Sequence, residues 1–167
     1  MTRLAVFLVL LTTYTVAQAQ APLDTRLARL FPSATAFSPK EGDPPHYKAF
    51  TGGKAILGYA FLTTELVPLE RGYGGPIVML VGMDATGKLT GVLVLEHHEP
   101  YGDFSIDRPE FAAQFRGKDV RDPFKLGGDI DAVSRATITM SSAVRAIRTS
   151  SRRMARQFLA APAPTSK

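Results

Sequence analysis

The sequence predicts an α+β fold: a small antiparallel sheet with helices packed on it, closed by a long basic C-terminal helix. Three observations carry this. Apolar runs over 76–83 and 89–96 flank the tight-turn sequence Asp84-Ala85-Thr86-Gly87-Lys88, which reads as an antiparallel hairpin. Helical periodicity returns near the end of the chain, where Ala143, Ile147, Met154 and Phe158 fall roughly on one face. The 167 residues give room for one domain of ordinary size and not two.

Each element has a local reason. Residues 1–19 read as a secretory signal. Arg3 is the sole charge there, and 4–11 is an apolar run too short to span a bilayer as a helix. Ala17-Gln18-Ala19 then supplies the small-x-small cleavage pattern. Cleavage is expected after Ala19, because Pro22 would follow a cut after Ala21; an uncleaved anchor is the alternative. Residues 23–31 form a short helix on the spacing of Leu23, Leu27, Leu30 and Phe31, with Asp24 near its start and Pro32 ending it. Residues 33–46, with Pro39, Pro44 and Pro45, form a loop. A strand is expected over 56–64, then a loop over 66–75 ending in Gly72-Tyr73-Gly74-Gly75. After the hairpin come an irregular loop over 97–107, a short helix over 109–115 with Glu110 in its first turn, and a loop over 119–131 containing Gly127-Gly128. The last helix runs over 141–159, with Arg145, Arg148, Arg152, Arg153 and Arg156 covering much of its other face. Pro162 and Pro164 mark 161–167 as a disordered tail, which leaves 20–160 as the domain.

Composition excludes several classes of function. The absence of cysteine excludes disulfides, thiolate metal sites, cysteine nucleophiles, iron–sulfur clusters and c-type haem attachment. A net charge of +5 invites acidic partners. Export turns that expectation away from nucleic acid and toward acidic lipid, a phosphate-bearing cofactor or an acidic protein. His97 and His98 are neighbours and point to opposite faces of an extended chain, so with His46 distant no metal site is expected. Glu96 and Glu99 are expected in structural roles, such as hydrogen bonds to backbone or to a basic side chain, because no nucleophile or metal accompanies them. The arginine face of the last helix has three open readings: a solvated face, a docking surface for an acidic redox partner, or contact with anionic headgroups.

The most informative stretch is Asp131-Ala132-Val133-Ser134-Arg135-Ala136-Thr137-Ile138-Thr139. It is dense in hydroxyls and precedes a helix expected to open on Ser141 and Ser142. A helix N-terminus presents free N–H groups and a positive dipole end to a phosphate, and Arg135 and Arg145 add charge-assisted donors. A plain N-cap cluster explains the same residues. Spacing alone leaves both open.

The segment resembles the flavinylation motif of the FMN-binding domain family, roughly Asp-x-x-Ser/Thr-Gly-Ala-Thr/Ser-x-Thr. Asp131, Ser134, Ala136, Thr137 and Thr139 match in order and spacing. The family includes the extracytoplasmic flavin subunits of sodium-pumping NADH:quinone reductase and of Rnf complexes. One residue departs from the pattern: Arg135 stands where the usual glycine precedes the alanine. The Ser-Arg-Ala-Thr form is similar to the N-terminal domain of NosR- and NirI-like regulators. The likeness covers most of the chain. Gly58-Tyr59-Ala60-Phe61-Leu62-Thr63-Thr64, Gly72-Tyr73-Gly74-Gly75-Pro76-Ile77, Gly82-Met83-Asp84, Gly87-Lys88-Leu89-Thr90-Gly91 and Glu96-His97-His98-Glu99-Pro100 follow in the family's order.

The resemblance implies an exported electron carrier, not an enzyme in its own right, with FMN joined to Thr139 through a phosphodiester. A flavin transferase would mature it, and membrane or periplasmic redox partners would exchange electrons with it. The NosR likeness implies a respiratory reductase such as nitrous oxide reductase as one acceptor. On this reading Asp131, Ser134, Ala136, Thr137, Ile138 and Thr139 hold the cofactor's phosphate end. Tyr73, Gly74, His98 and Glu99 surround its ring, with Pro76 nearby. Thr139 is expected in an accessible loop-to-helix junction, with its phosphate resting near Ser141 and Ser142. Two rivals remain: a sensory or assembly module that is flavin-free or loaded non-covalently, and a basic lipid- or polyanion-binding protein with peripheral membrane contact.

Overall fold

A computed structural model describes residues 23–159, apart from 53 and 67. The expected signal over 1–19 and the tail over 161–167 lie outside the described residues. The fold is α+β, as the sequence predicts. A helix over 23–30 (α1) leads into five strands: β1 (Ala36–Phe37), β2 (Tyr47–Phe50), β3 (Ile56–Leu62), β4 (Val78–Asp84) and β5 (Leu89–Glu96). A short helix α2 (Pro109–Ala113) and a 22-residue helix α3 (Thr137–Phe158) follow. Every neighbouring pair in the sheet is antiparallel and the strand order follows the chain order, β1-β2-β3-β4-β5.

The hairpin forms where turn chemistry dictates. The Asp84 side chain accepts from the N–H groups of Thr86 (2.8 Å) and Lys88 (3.0 Å), and Gly87 takes φ +95° to close the turn. β4 lies between β3 and β5 and is buried over its middle five residues, which is why its run reads as almost wholly apolar. It begins at Val78 and not at the expected residue 76, because Pro76 pairs only through an isolated bridge to Arg71.

The alternation of side chains gives the sheet two apolar faces. One bears Ala49, Ala60 and Leu80 and is covered by Leu27, Leu30 and Phe31 of α1 and the residue after it. Close approach is possible because Gly82 has no side chain: a Cβ there would lie 2.3 Å from Thr90 Oγ1 and 3.1 Å from Leu30 Cβ. The other face bears Tyr59, Phe61, Met79, Val81 and Val92, and packs against α2 and α3. From α3, Met140, Ala143, Val144, Ile147 and Met154 are all buried at helical spacing. Each such side chain of Ile, Val or Met size contributes roughly 1.5–3 kcal/mol on burial, so this stripe is what fixes the helix to the sheet.

Four expectations are corrected. The strand expected over 56–64 stops at Leu62, and Thr63–Glu65 forms a 3-10 turn. There the Thr63 hydroxyl donates to the Ile77 carbonyl and accepts the Met79 N–H, both at 3.2 Å, bonding across to the start of β4. The short helix ends at Ala113, not 115, and passes through turns to Gly117 at φ +80°. Residues 33–46 are not all loop, since Ala36–Phe37 pairs with Tyr47–Phe50, a strand to which the sequence reading assigns no element. The last helix opens at Thr137, four residues before the expected Ser141.

Candidate functional site

The early start of α3 moves the Asp131–Thr139 motif from a loop onto a helix end. Arg135 takes a left-handed φ of +70°, the N–H of Ala136 bonds to the Val133 carbonyl (3.2 Å), and Ala136 becomes the N-cap. The first helical bond runs from Met140 N to Ala136 O at 2.9 Å. Ala136 has no side-chain oxygen, no side chain caps this end, and the first turn carries no acid. A 22-residue helix thus presents its positive end and its first-turn N–H groups uncapped, the arrangement that suits an anion. The N-cap-cluster reading of the motif meets no capping hydroxyl here.

Thr139 lies in that first turn. It is 2% exposed, against the expectation of an accessible junction. Its Oγ1 donates in a very short hydrogen bond to Oε2 of Glu99, itself buried. The same carboxylate accepts the backbone N–H of Tyr73 (3.1 Å) and of Gly74 (2.8 Å). One acid therefore ties together the Gly72–Gly75 loop, the loop after β5 and the start of α3. The Glu99 N–H donates to His97 Nδ1 (3.1 Å), so the His97 proton sits on Nε2 and faces Asp107 Oδ1 at 2.9 Å. Gly74 must be glycine: a Cβ there would stand 1.9 Å from the His98 carbonyl oxygen.

The structure thus brings Thr139, Glu99, Tyr73 and Gly74 together. His98 contributes its backbone to this junction while its residue is exposed. Asp131 and Ser134 are exposed on the approach to the helix, with the Asp131 N–H held by Gln114 Oε1 at 2.7 Å. Thr137 is exposed and Ala136 buried. Ser142, expected beside a phosphate, is buried in the second turn. Arg145 is engaged by Glu70 at 3.0 Å.

Residues that sequence reasoning missed, Leu69, Tyr101 and Phe104, cluster with the expected Tyr73 and Ile138. Among the described residues, all the exposed large apolar side chains except Ile56 lie on the three segments Glu99 joins: Leu69, Tyr73, Tyr101, Phe104 and Ile138. Tyr101 and Phe104 pack ring against ring, centroids 5.4 Å apart. A groove of about 350 Å³ runs beside the motif, lined by Phe104, Arg108, Phe111, Asp131, Val133 and Met140 among others. The signal in the sequence was the pair of aromatics in the loop after Pro100. An uncapped helix end for a phosphate, a hydroxyl for an ester and an apolar, aromatic border for a ring fit a flavin mononucleotide. The acids at the site oppose it: Glu99 beside the hydroxyl, and Asp131 and Glu110 on the groove wall.

The comparisons agree with the motif. The FMN-binding domain matches residues 72–150. Regulatory protein NosR of Stutzerimonas stutzeri is 33% identical over 69% of this chain, which spans 17% of that protein's length. A component of the ion-translocating oxidoreductase complex of Methanosarcina acetivorans is 30% identical over 81% of this chain and 79% of its own. The crystal structure of Shewanella oneidensis NqrC aligns with a TM-score of 0.47 at 22% identity, covering 71% of this chain and 65% of that one. With its motif at the head of α3 and a relative matched over most of both lengths, the chain belongs to the FMN-binding domain family.

Proposed function

We propose that this protein is an extracytoplasmic electron carrier that bears FMN as a phosphodiester on Thr139. The observation that carries the reading is the position of the Thr139 hydroxyl in the first turn of an uncapped 22-residue helix. A phosphate esterified there sits against first-turn N–H groups and the positive end of the helix dipole. FMN supplies the redox chemistry when bound. The chain's own residues hold and orient it: Tyr73, Tyr101, Phe104 and Ile138 offer apolar contact, and Arg108 offers charge beside the groove. The relatives' names, a regulatory protein and a component of an oxidoreductase complex, support a place in a membrane-associated redox chain. The leader-like pattern over 1–19 supports export, and a flavin transferase is the implied maturation partner.

The chemistry requires Glu99 to let go of Thr139. An ester oxygen has no proton to donate, so attachment breaks that hydrogen bond and places a phosphate where the carboxylate now accepts. The Glu99 side chain must then swing aside from the ester.

A second reading, FMN held without a covalent bond, draws on the 2% exposure of Thr139. One experiment separates the two. The chain is co-expressed in the periplasm with an active flavin transferase, beside Thr139→Ala, and examined by intact mass and by in-gel flavin fluorescence after denaturation. Fluorescence and added mass that survive denaturation and vanish in the variant support the covalent carrier. Yellow protein that loses its colour on denaturation supports the second reading, and colourless protein sinks both.

A further inference from the structure

The two edges of the sheet differ. β1 is two residues long, too short to recruit a strand, whereas β5 is eight residues long and forms the other edge. Its first residue is covered: Leu89 exchanges hydrogen bonds with Lys118 O (2.8 Å) and Gly117 N (2.7 Å). Among the described residues, no backbone hydrogen bond outside the ladder with β4 reaches residues 90–96. The outward N–H and C=O groups of that stretch are open.

This edge forms the floor of a groove. Residues 91–95 line a cleft of about 550 Å³, with α1 on one side and the 106–116 segment on the other. α1 belongs to one face of the sheet and α2 to the opposite face, so the cleft runs along the sheet edge between two helical walls. Four arginines stand on its rims: Arg26 and Arg29 from α1, Arg108 and Arg116 from the other wall. Arg116 reaches over the floor, its Nη2 within 3.8 Å of where a Gly91 Cβ would be. Among the described residues, Arg26, Arg29 and Arg116 have no ion-pair partner, and Arg108 has only an exposed contact to Glu110 at 3.4 Å. The one acid lining the cleft, Asp107, is taken by His97.

We propose that the β5 edge is a docking site for an extended acidic segment of a partner protein, which adds as a sixth strand. The unpaired backbone supplies hydrogen bonds, as in strand addition generally. Side chains of an added strand alternate between the two walls, and both walls are cationic, so the segment carries acidic residues on both of its faces. Half-buried Leu93, Val94 and Leu95 favour β-branched residues between the acids. A second copy of this chain does not fit, because pairing two β5 edges sets one group of arginines against another. Arg108 borders both this cleft and the groove beside the motif, but the proposal rests on the sheet edge with Arg26, Arg29 and Arg116 and does not require the flavin reading.

The test uses the full chain and a labelled peptide containing Glu-Glu-Val-Thr-Val-Glu-Glu. Anisotropy measures binding against salt, and hydrogen exchange reads the amides of 90–96. Three controls run beside it: the peptide with alternate backbone amides N-methylated, the peptide with Lys for Glu, and the Arg29→Glu/Arg116→Glu double variant, both sites exposed. Strand addition predicts slowed exchange over 90–96, loss of binding by both control peptides, and affinity about tenfold weaker in the double variant, falling further with salt. Four results overturn it: no binding; equal binding of the N-methylated peptide, which makes the cleft a plain polyanion surface; protection confined to α3; or displacement by inorganic phosphate or phosphatidylglycerol vesicles at equal charge without any change over 90–96.

Discussion

Forty residues separate Thr139 from Glu99 in the chain, yet the hydroxyl of the first donates to the carboxylate of the second. The bond is one of three the carboxylate accepts, the others coming from the Tyr73 and Gly74 backbone. Glu99 is thus the fastener of the proposed attachment point, and Thr139 is one of the things it fastens.

Glu99→Ala leaves a buried hydroxyl and two backbone N–H groups without their acceptor. Stability is expected to fall by about 2–3 kcal/mol, with Glu99→Gln losing less because one carbonyl oxygen remains. A thermal melt reads this as a drop on the order of 8 °C for the alanine variant. A melt unchanged within a degree would show that the carboxylate fastens nothing.

Arg135 occupies a conformation that costs a side-chain-bearing residue roughly 1–2 kcal/mol. Arg135→Gly relieves that strain but adds freedom to the unfolded chain. The expected net gain is about 0.5–1 kcal/mol, read as a higher urea midpoint at unchanged slope.

Gly74→Ala drives a methyl into the His98 carbonyl, and the nearest atoms are all backbone of residues 98–99, which cannot turn aside as a side chain would. The Gly72–Gly75 loop must move, and the Glu99 bond to Gly74 goes with it. Stability should fall by about 2–4 kcal/mol, and covalent flavin loading by a transferase should fall at least about fivefold, since a one-ångström misplacement at a reacting group is costly.

Burial opposes ionisation of Asp129, but the N–H groups of Lys125 (2.5 Å) and Phe124 (3.1 Å), with Lys118 Nζ at 3.2 Å, outweigh it and hold the carboxyl below its ordinary value. A lowered folded-state pKa gives stability that is present above the unfolded pKa of about 3.9 and lost as pH falls through the lower folded value. Asp129→Asn should therefore be less stable than the parent at pH 7, and the gap should narrow progressively as pH falls below about 3.9. Urea midpoints for both chains across that range measure it. A gap that stays constant would mean the carboxylate charge is not what holds the 124–130 turn.

How far the sequence discloses this molecule depends on the range of the forces involved. The β4–β5 hairpin is legible because its turn chemistry is local: Asp84 and Gly87 supply the acceptor and the positive φ within five residues. β2 is not, because four residues stabilised by their neighbours on both sides carry little pattern of their own. The start of α3 is obscured by Thr137, Ile138 and Thr139, a β-branched run that local propensity disfavours in a helix. Burial of Ala136 and Met140 and the bond to Glu99 override that propensity. A structural role for Glu99 in bonding backbone could be read from the absence of any nucleophile beside it, but its partners could not, since they come from a loop 25 residues away and a helix 40 residues away. The glycine-like conformation of Arg135 was foreshadowed by the family pattern, which has glycine there.

The sheet is a simple meander, and this orders events in time. Each strand closes on the one just before it, so the sheet can assemble from short loops while the rest of the chain is still free. α3 is the last element in the chain, and it packs against a sheet and a Glu99 loop that both precede it. The surroundings of Thr139 are therefore assembled only when both ends of that sequence of events have met. Docking of α3 also closes that hydroxyl off, leaving Thr139 2% exposed and bonded to Glu99, so a transferase acting on the folded chain has to wait for this junction to open locally.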